Sequence, residues 1–370
     1  MQNALKKRGY KWKDFIITGG GGGDHTSVLQ ARVSLGTPPS AVITFMGPNV
    51  WDLGSKLKLA NLDKVAFRNN WKKKLHPLVN RMVQYKGHYV AVPVNAHRTN
   101  WMWINKKVFQ KAKAKIPRTW NEFFQVADKI KKAGFIPLAH GGEPWQDATL
   151  FESVLLGIGG ASFHKKTLVD MNEKYINSPT MVKVFQTMRR LKNYMDKDSP
   201  GRSWDNTTNM LINGKAAMQI MGDWVKGEFL LQNKKPGKDF LCRPAPGNQG
   251  IFVIDVDAFV MFKVKKKGLQ KGQIALAQTL MEPSVQKRFN LIKGSIPSHL
   301  GVSSKGFDSC GRQSMRSLRK DKVVPAFAFV QANTPTSHKA MVHLITSFFN
   351  SDMPTKDAAK NLALMARISK

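Results

Sequence analysis

Cysteine occurs only twice in the 370 residues, acidic side chains are outnumbered more than two to one by basic ones, and no apolar run is long enough to cross a bilayer. Each scarcity excludes something. Two thiols, Cys242 and Cys310, are too few for a disulfide-framework scaffold. They read either as one staple in an oxidising compartment or as two unrelated buried thiols. A membrane helix needs about 18 apolar residues in a row, so none is expected. The first eight residues, MQNALKKR, contain no apolar core of a secretory signal. On that ground the sequence reads as a cytoplasmic protein, a processed chain or one with a missing start. The nine histidines show neither an HExxH pair nor close pairing with cysteine, which argues against structural zinc. No Gly-x-Ser-x-Gly elbow supports a hydrolase. Internal repeats and long linkers are absent as well.

What is abundant is positive charge: 59 Lys and Arg against 24 Asp and Glu, a net +35. Such a field attracts polyanions without a dedicated site. One reading is a cationic module for nucleic acid or anionic surfaces. The other is biased composition, with lysine filling exposed helix positions. The basic residues are spread along the chain, and no zinc-finger spacing, RNA-recognition signature or single basic arm accompanies them. The length exceeds one compact core and predicts two lobes. A hydrophobic content of 42% is enough to give each lobe a core.

Strand-like and helix-like segments alternate, which predicts α/β lobes. The run 41–46 (AVITFM) reads as a buried strand, and 89–94 and 101–104 as two more. The clearest helix follows Pro117, with Thr119 as cap, Glu122 completing a capping box, and Trp120, Phe123, Phe124, Ala127 and Ile130 at helical spacing. Further helices are predicted over 27–33, 148–156, 181–194, 274–281, from Pro283 onward, 339–349 and 354–368.

Several motifs invite a functional reading. The glycine run 19–23 lacks both the Gly-Lys-Ser/Thr ending of a phosphate loop and the spacing of a dinucleotide fingerprint. It reads as a flexible loop before a helix capped by Asp24 or Thr26. Glu143 and Asp147 could be posed as an acid/base pair, but Asp147 is better placed to cap the following helix. In 252–262 (FVIDVDAFVMF) a continuous strand would set Asp255 and Asp257 on one face. Burying them would be costly without partners, and Lys293 in KGSIP (293–297) offers either a salt bridge to them or a ligand cation. In 214–224 (GKAAMQIMGDW) a helix stops at Gly214, a strand follows, and Asp223 and Trp224 emerge at a glycine-loosened end. Carboxylates, an ammonium and an indole together suit a neutral polyol, with charged hydrogen bonds to hydroxyls and stacking against a C–H face.

The ordered series YVAVPVNAHRTNWMWIN (89–105), PRTWNEFF (117–124), FIPLAHGGEPWQDATL (135–150), NGKAAMQIMGDWVKGEF (213–229), VDAFVMF (256–262) and KGSIP (293–297) resembles the extracellular solute-binding proteins of ABC sugar importers, in their glucose-binding type. Asn70-Trp71 is a weaker match, and the resemblance runs from about residue 4 to the C-terminus. It implies a two-lobed, type II-like periplasmic-binding-protein fold with crossover hinge strands near Ile104, Asp255 and Gly301. Lobe I would be 1–104 plus 256–300, and lobe II 105–255 plus 301–370. It implies a non-enzymatic, monomeric, periplasmic receptor without cofactor. This receptor would close on a monosaccharide, glucose or a similar aldohexose, and deliver it to membrane permease subunits. Trp224 would be the stacking ring, with Asp223, Asp255, Asp257 and Lys293 as further sugar-site residues and Cys242–Cys310 as a disulfide. Asp255 stands where relatives usually carry Asn.

Three departures accompany the resemblance. Against the family pattern the chain starts inside the first helix, so the preceding strand, its sugar contacts and the signal peptide are expected to be missing. Met46 replaces a Lys commonly found before Gly-Pro. Phe329 stands where a His commonly follows a Pro-x-x-Ala element. Losing one hydrogen-bonding group from a buried polyol site costs about 1–3 kcal/mol. A decayed or truncated relative with weak or no sugar binding is therefore the alternative expectation.

Overall fold

The β-branched and aromatic run at 41–45 forms the strand Ala41–Phe45, as its composition predicts, but it is not the buried strand expected: only Thr44 is buried, and Ile43 is exposed. It pairs antiparallel with Asp257–Met261, which pairs in turn with Ala91–Pro93, so the strand most distant in sequence is the central one. This computed structural model describes residues 2–14 and 23–368. The chain forms two units: Met1–Ala96 with Asp255–Lys305 and Phe329–Gln331, and a larger one of His97–Ile254, Gly306–Ala328 and Ala332–Lys370.

The smaller unit contains the three-stranded sheet just described and the helices Lys267–Leu280 and Pro283–Lys293. Buried amides fix the helices to the sheet. Gln273 donates to the carbonyls of Ser40 (2.6 Å) and Phe262 (2.8 Å). Gln286 and Asn290 donate to the carbonyls of Pro93 and Val94, both at 3.0 Å. These bonds tie helix side chains to carbonyls at the strand ends, Ser40 accepting from the Phe262 N–H as well.

The larger unit has a four-stranded sheet in the order Ile136–Leu138, Ala216–Met221, Trp101–Asn105, Phe240–Pro244. Trp101 and Trp103 are completely buried against Leu211, Phe229 and Phe240. A second sheet joins Lys322–Pro325, Ile251–Asp255 and His97–Arg98. The helices Pro144–His164, Pro179–Leu191, Pro335–Phe349 and Thr355–Ile368 complete this unit, with the Phe185 and Phe348 rings 4.6 Å apart.

Several sequence expectations need correction. The first crossing lies at Ala96–His97 and not near Ile104, because Trp101–Asn105 is hydrogen-bonded on both edges within the larger unit's sheet. The second falls at Ile254–Asp255, the third after Lys305 and not at Gly301, and residues 329–331 return briefly to the smaller unit. The run 252–262 is two strands broken at Val256 and belonging to different sheets. The alternation argument that put Asp255 and Asp257 on one face needs an unbroken strand and does not apply. The helix predicted over 148–156 starts at Pro144 with Glu143 as cap, so Asp147 lies inside its first turn. The helix expected over 27–33 runs Gly23–Ser34, which places Asp24 and Thr26 within it and not at its cap. Of the glycine run, residues 19–22 lie outside the described residues. The capping box after Pro117 forms with one change. Thr119 accepts from the Glu122 N–H (3.2 Å), whereas the Glu122 carboxylate reaches back to the N–H of Arg118 (2.6 Å).

A buried polar cluster holds residues 327–328 in the larger unit. Glu152 accepts from the N–H groups of Phe327 (2.8 Å) and Ala328 (3.4 Å) and bonds His164 Nε2 (2.7 Å). On the other side, His338 Nε2 lies 3.2 Å from the Ala328 carbonyl. Burial pushes the His338 imidazole down from 6.5 to about 4, only partly opposed by that carbonyl contact. Between these values the unfolded chain binds a proton that the folded one refuses, so stability rises with pH across the window. Denaturant unfolding should show the larger unit losing up to about 3 kcal/mol as pH falls from about 6.5 to about 4. His338→Gln should flatten that slope, and an unchanged slope in the variant would assign it to other groups.

Candidate functional site

In the larger unit the sequence 214–224 builds an aromatic wall. Gly214 at φ 72° ends the helix Trp204–Ile212, a conformation that costs glycine little. The strand Ala216–Met221 is buried throughout. At Gly222 a Cβ atom would lie 2.3 Å from the Trp224 ring, so only glycine lets the indole fold back over the chain. Trp224 is partly exposed and opens the helix Val225–Leu231. The His97 ring meets it edge-on at 5.3 Å and 78°, and Trp145 lies 6.1 Å away at 56°. Trp145 donates its indole N–H to Glu143 Oε2 (3.1 Å), which also accepts from Gln146 (2.7 Å).

Asp223, predicted as a sugar contact, is 3% exposed and points inward. One carboxylate oxygen bonds His97 Nδ1 and the other accepts from the Arg98 N–H at 3.1 Å. Its own N–H donates to the Arg98 carbonyl, also at 3.1 Å. The residue thus ties the Trp224 loop to the strand His97–Arg98 and orients the imidazole beside the indole. Arg98 is anchored below. Its guanidinium donates to Asn100 Oδ1, Ser317 Oγ and the Ile251 carbonyl, and lies 4.3 Å over the Trp101 ring. Burial brings the Arg98 pKa down to about 10 against the opposing pull of Asp321 and Asp223, so the group stays cationic. Asp147, posed as an acid/base partner of Glu143, is fully buried and bonded to His140 Nε2 at 2.8 Å. That contact makes it a support for the helix start.

In the smaller unit the predicted residues have amide partners. Asp257 accepts from Asn95 Nδ2 (2.8 Å) while its N–H donates to Asn95 Oδ1 (3.0 Å), a reciprocal pair. Asp255 accepts from the Gln331 amide, which also donates to the Val256 carbonyl at 3.1 Å. Lys293 is exposed in the last turn of Pro283–Lys293, before Gly294 at φ 89°. The turn after it is fixed to the strand end: Ser295 Oγ donates to Asn290 (2.7 Å), and Ala96 and Ile296 exchange backbone hydrogen bonds of 2.8 and 3.2 Å. Met46 is completely buried, and Phe329 is 4% exposed, its ring 5.9 Å from Phe45. Both replacements noted in the sequence therefore serve apolar packing.

Asn95, His97, Trp145 and Gln331, which contact Asp257, Asp223, Trp224 and Asp255, were not singled out in the sequence. Their only signal was polarity just after apolar runs, as in VPVNAH (92–97), together with a Trp beside the Glu143-Pro144 cap. The disulfide joins Cys242 and Cys310 with Cα atoms 6.0 Å apart. Among the described residues no cluster of His, Cys, Asp and Glu could hold a metal ion, and no helix is long and apolar enough to cross a membrane.

The chain thus forms two α/β units, the larger of which presents a tryptophan beside hydrogen-bonding side chains. The family follows from the sequence comparison: residues 3–281 match the bacterial extracellular solute-binding protein family, and the chain belongs to it. It is a family of binding proteins and not of enzymes. The whole chain aligns at 38% identity with 88% of a "probable sugar-binding periplasmic protein" of Brucella melitensis, and at 37% with 90% of one of Rhizobium meliloti. Like these relatives, the chain is a periplasmic protein. A solved chitin oligosaccharide binding protein superposes with a TM-score of 0.84 at 17% identity, covering all of this chain and 92% of its own. The receptor AcbH, described as preferring β-D-galactopyranose, gives 0.83 at 21%, covering 99% of this chain and 92% of its own. At these identities the superpositions show the two-lobed fold alone.

Proposed function

We propose that the protein binds a monosaccharide, glucose or a similar aldohexose, and passes it to the membrane subunits of an ABC importer. The observation that carries this reading is Trp224, partly exposed at a strand end and braced by His97, Asp223 and Gly222. A preset indole face matches the C–H face of a pyranose without an ordering cost at the moment of binding. Asp257 and Lys293 are proposed as hydroxyl contacts. Asp255 is proposed as a further one, and Asp223 as the residue that holds His97 and the Trp224 loop in place. The names of the Brucella and Rhizobium relatives support sugar as the ligand class.

A second reading, a receptor with weak or no affinity, is favoured by Met46 and Phe329, both buried in apolar packing, which offer no hydrogen-bonding group where the family resemblance implies a Lys and a His. Isothermal calorimetry with glucose, galactose, mannose and a chitin-type disaccharide separates the two. Saturable heat with one aldohexose and none with the disaccharide is expected. No heat from any sugar, with the protein shown to be folded, would remove the transport role from this chain. Heat from the disaccharide alone would keep sugar binding and overturn the monosaccharide.

A further inference from the structure

The proposed sugar site calls on one Lys and leaves the rest of the net charge of +35 without a role, and that charge is not evenly spread. Segments 2–14 and 263–271 hold ten Lys and Arg in 22 residues, against 59 in 370 for the whole chain, and only one acid, Asp14. The smaller unit brings them together. Helix Gln2–Lys6 packs on Lys267–Leu280, and Arg8 extends across, donating to Gln278 Oε1 (3.0 Å) and pairing with Glu282. On one side of Arg8 lies an open trough of about 590 Å³ with Tyr10, Lys267 and Lys271 on its walls and Ile274 and Ala275 beneath. On the other side, Arg68 and Lys74 line a second of about 410 Å³. Lys267 and Lys271 are exposed and one helical turn apart, so both ammonium groups serve the same face. The helix N-terminus adds its own positive end there, with no acid in the first turn. Glu282, the acid in the second trough, is already neutralised by Arg8.

We propose that this face of the smaller unit docks on an anionic membrane surface, with phosphodiester headgroups seated in the two troughs. Cations on the walls meet the phosphate, and the apolar floor of Ile274 and Ala275 accepts the glyceryl carbons. A lipid surface is favoured over nucleic acid on two grounds. The protein works outside the cytoplasm, where anionic lipid is the standing polyanion. The Arg8–Glu282 pair also divides the surface into separate seats, which suits separate headgroups better than one continuous backbone.

Each basic residue near an anionic bilayer strengthens partitioning about five-fold. Co-sedimentation with vesicles containing about 30% phosphatidylglycerol, at about 150 mM salt, tests the proposal, with pure phosphatidylcholine as the neutral surface. The wild type should bind the anionic vesicles only. Lys267→Glu with Lys271→Glu should weaken binding at least about 25-fold, and the milder Lys267→Gln with Lys271→Gln about 5- to 25-fold. The exposed pair Lys107 and Lys115 in the larger unit, changed to Glu with the same loss of charge, should cost less than about three-fold. An equal loss in both double reversals would overturn the local face. So would absence of wild-type binding, or retention by the Lys267/Lys271 variants. Binding of duplex DNA at this salt without binding of vesicles would overturn it in favour of nucleic acid.

Discussion

Trp224→Ala should weaken sugar binding by about 30- to 150-fold, the effect of removing an aromatic anchor worth about 2–3 kcal/mol. The indole is held before any ligand arrives: Gly222 leaves room for it, His97 meets its face edge-on, and Trp145 flanks it. Truncation therefore removes a contact surface already oriented, and no other ring of the wall occupies its place. The ring is only partly buried, so the melting temperature should fall by no more than a few degrees. Trp224→Phe keeps a smaller π face and should recover part of the loss. Gly222→Ala should act like a milder Trp224→Ala, because the new methyl would lie 2.3 Å from the ring and push it aside. Titration calorimetry with the best aldohexose provides the measurement. Wild-type affinity in Trp224→Ala, in a protein of unchanged stability, would sink the assignment of this ring.

The parts of the fold readable in the sequence were those where one local rule decides. The helix Trp120–Lys132 has its cap, its apolar stripe and its terminating Gly134 within 16 residues, and each does what its chemistry predicts. The pair Asp255 and Asp257 marks the opposite case. An apolar stretch interrupted by acids has the composition of one strand, and only pairing with different partners reveals the break at Val256. The first crossing was misplaced for the same reason. Trp101–Asn105 has an unambiguous strand pattern, but the sheet it joins is decided by strands more than 100 residues later.

The site shows a similar division. Trp224 could be singled out because helix stop, strand and glycine are consecutive. Its supports could not, since His97 reaches Asp223 across 126 positions and Asn95 reaches Asp257 across 162. A carboxylate beside a candidate stacking ring suggests a sugar contact, and the sequence does not reveal that each Asp223 oxygen also has a partner on the neighbouring strand. The charged candidates at 255 and 257 have neutral amide partners, and such a partner leaves no sequence pattern beyond an isolated Asn or Gln.

Removing the disulfide should be the largest change in stability that a pair of substitutions produces here. Cys242 lies on the strand Phe240–Pro244, opposite Trp103, and Cys310 on the helix Ser309–Lys320, reached only after the chain has passed through the smaller unit. Both are 2% exposed within the core built on Trp101, Trp103 and Phe240. The bridge closes a loop with a sequence separation of 68, and the chain-entropy relation gives about 4 kcal/mol for a loop of that size. For a unit of more than 200 residues this corresponds to a fall of roughly 8–16 °C in melting temperature. Cys242→Ala, Cys310→Ala and the double variant should melt alike, because each loses the same crosslink. Wild-type protein in excess dithiothreitol should converge on them, which separates the crosslink from any packing defect left by alanine. A fall of less than about 2 °C in all three variants would mean that the unfolded chain is restrained by something other than this bridge.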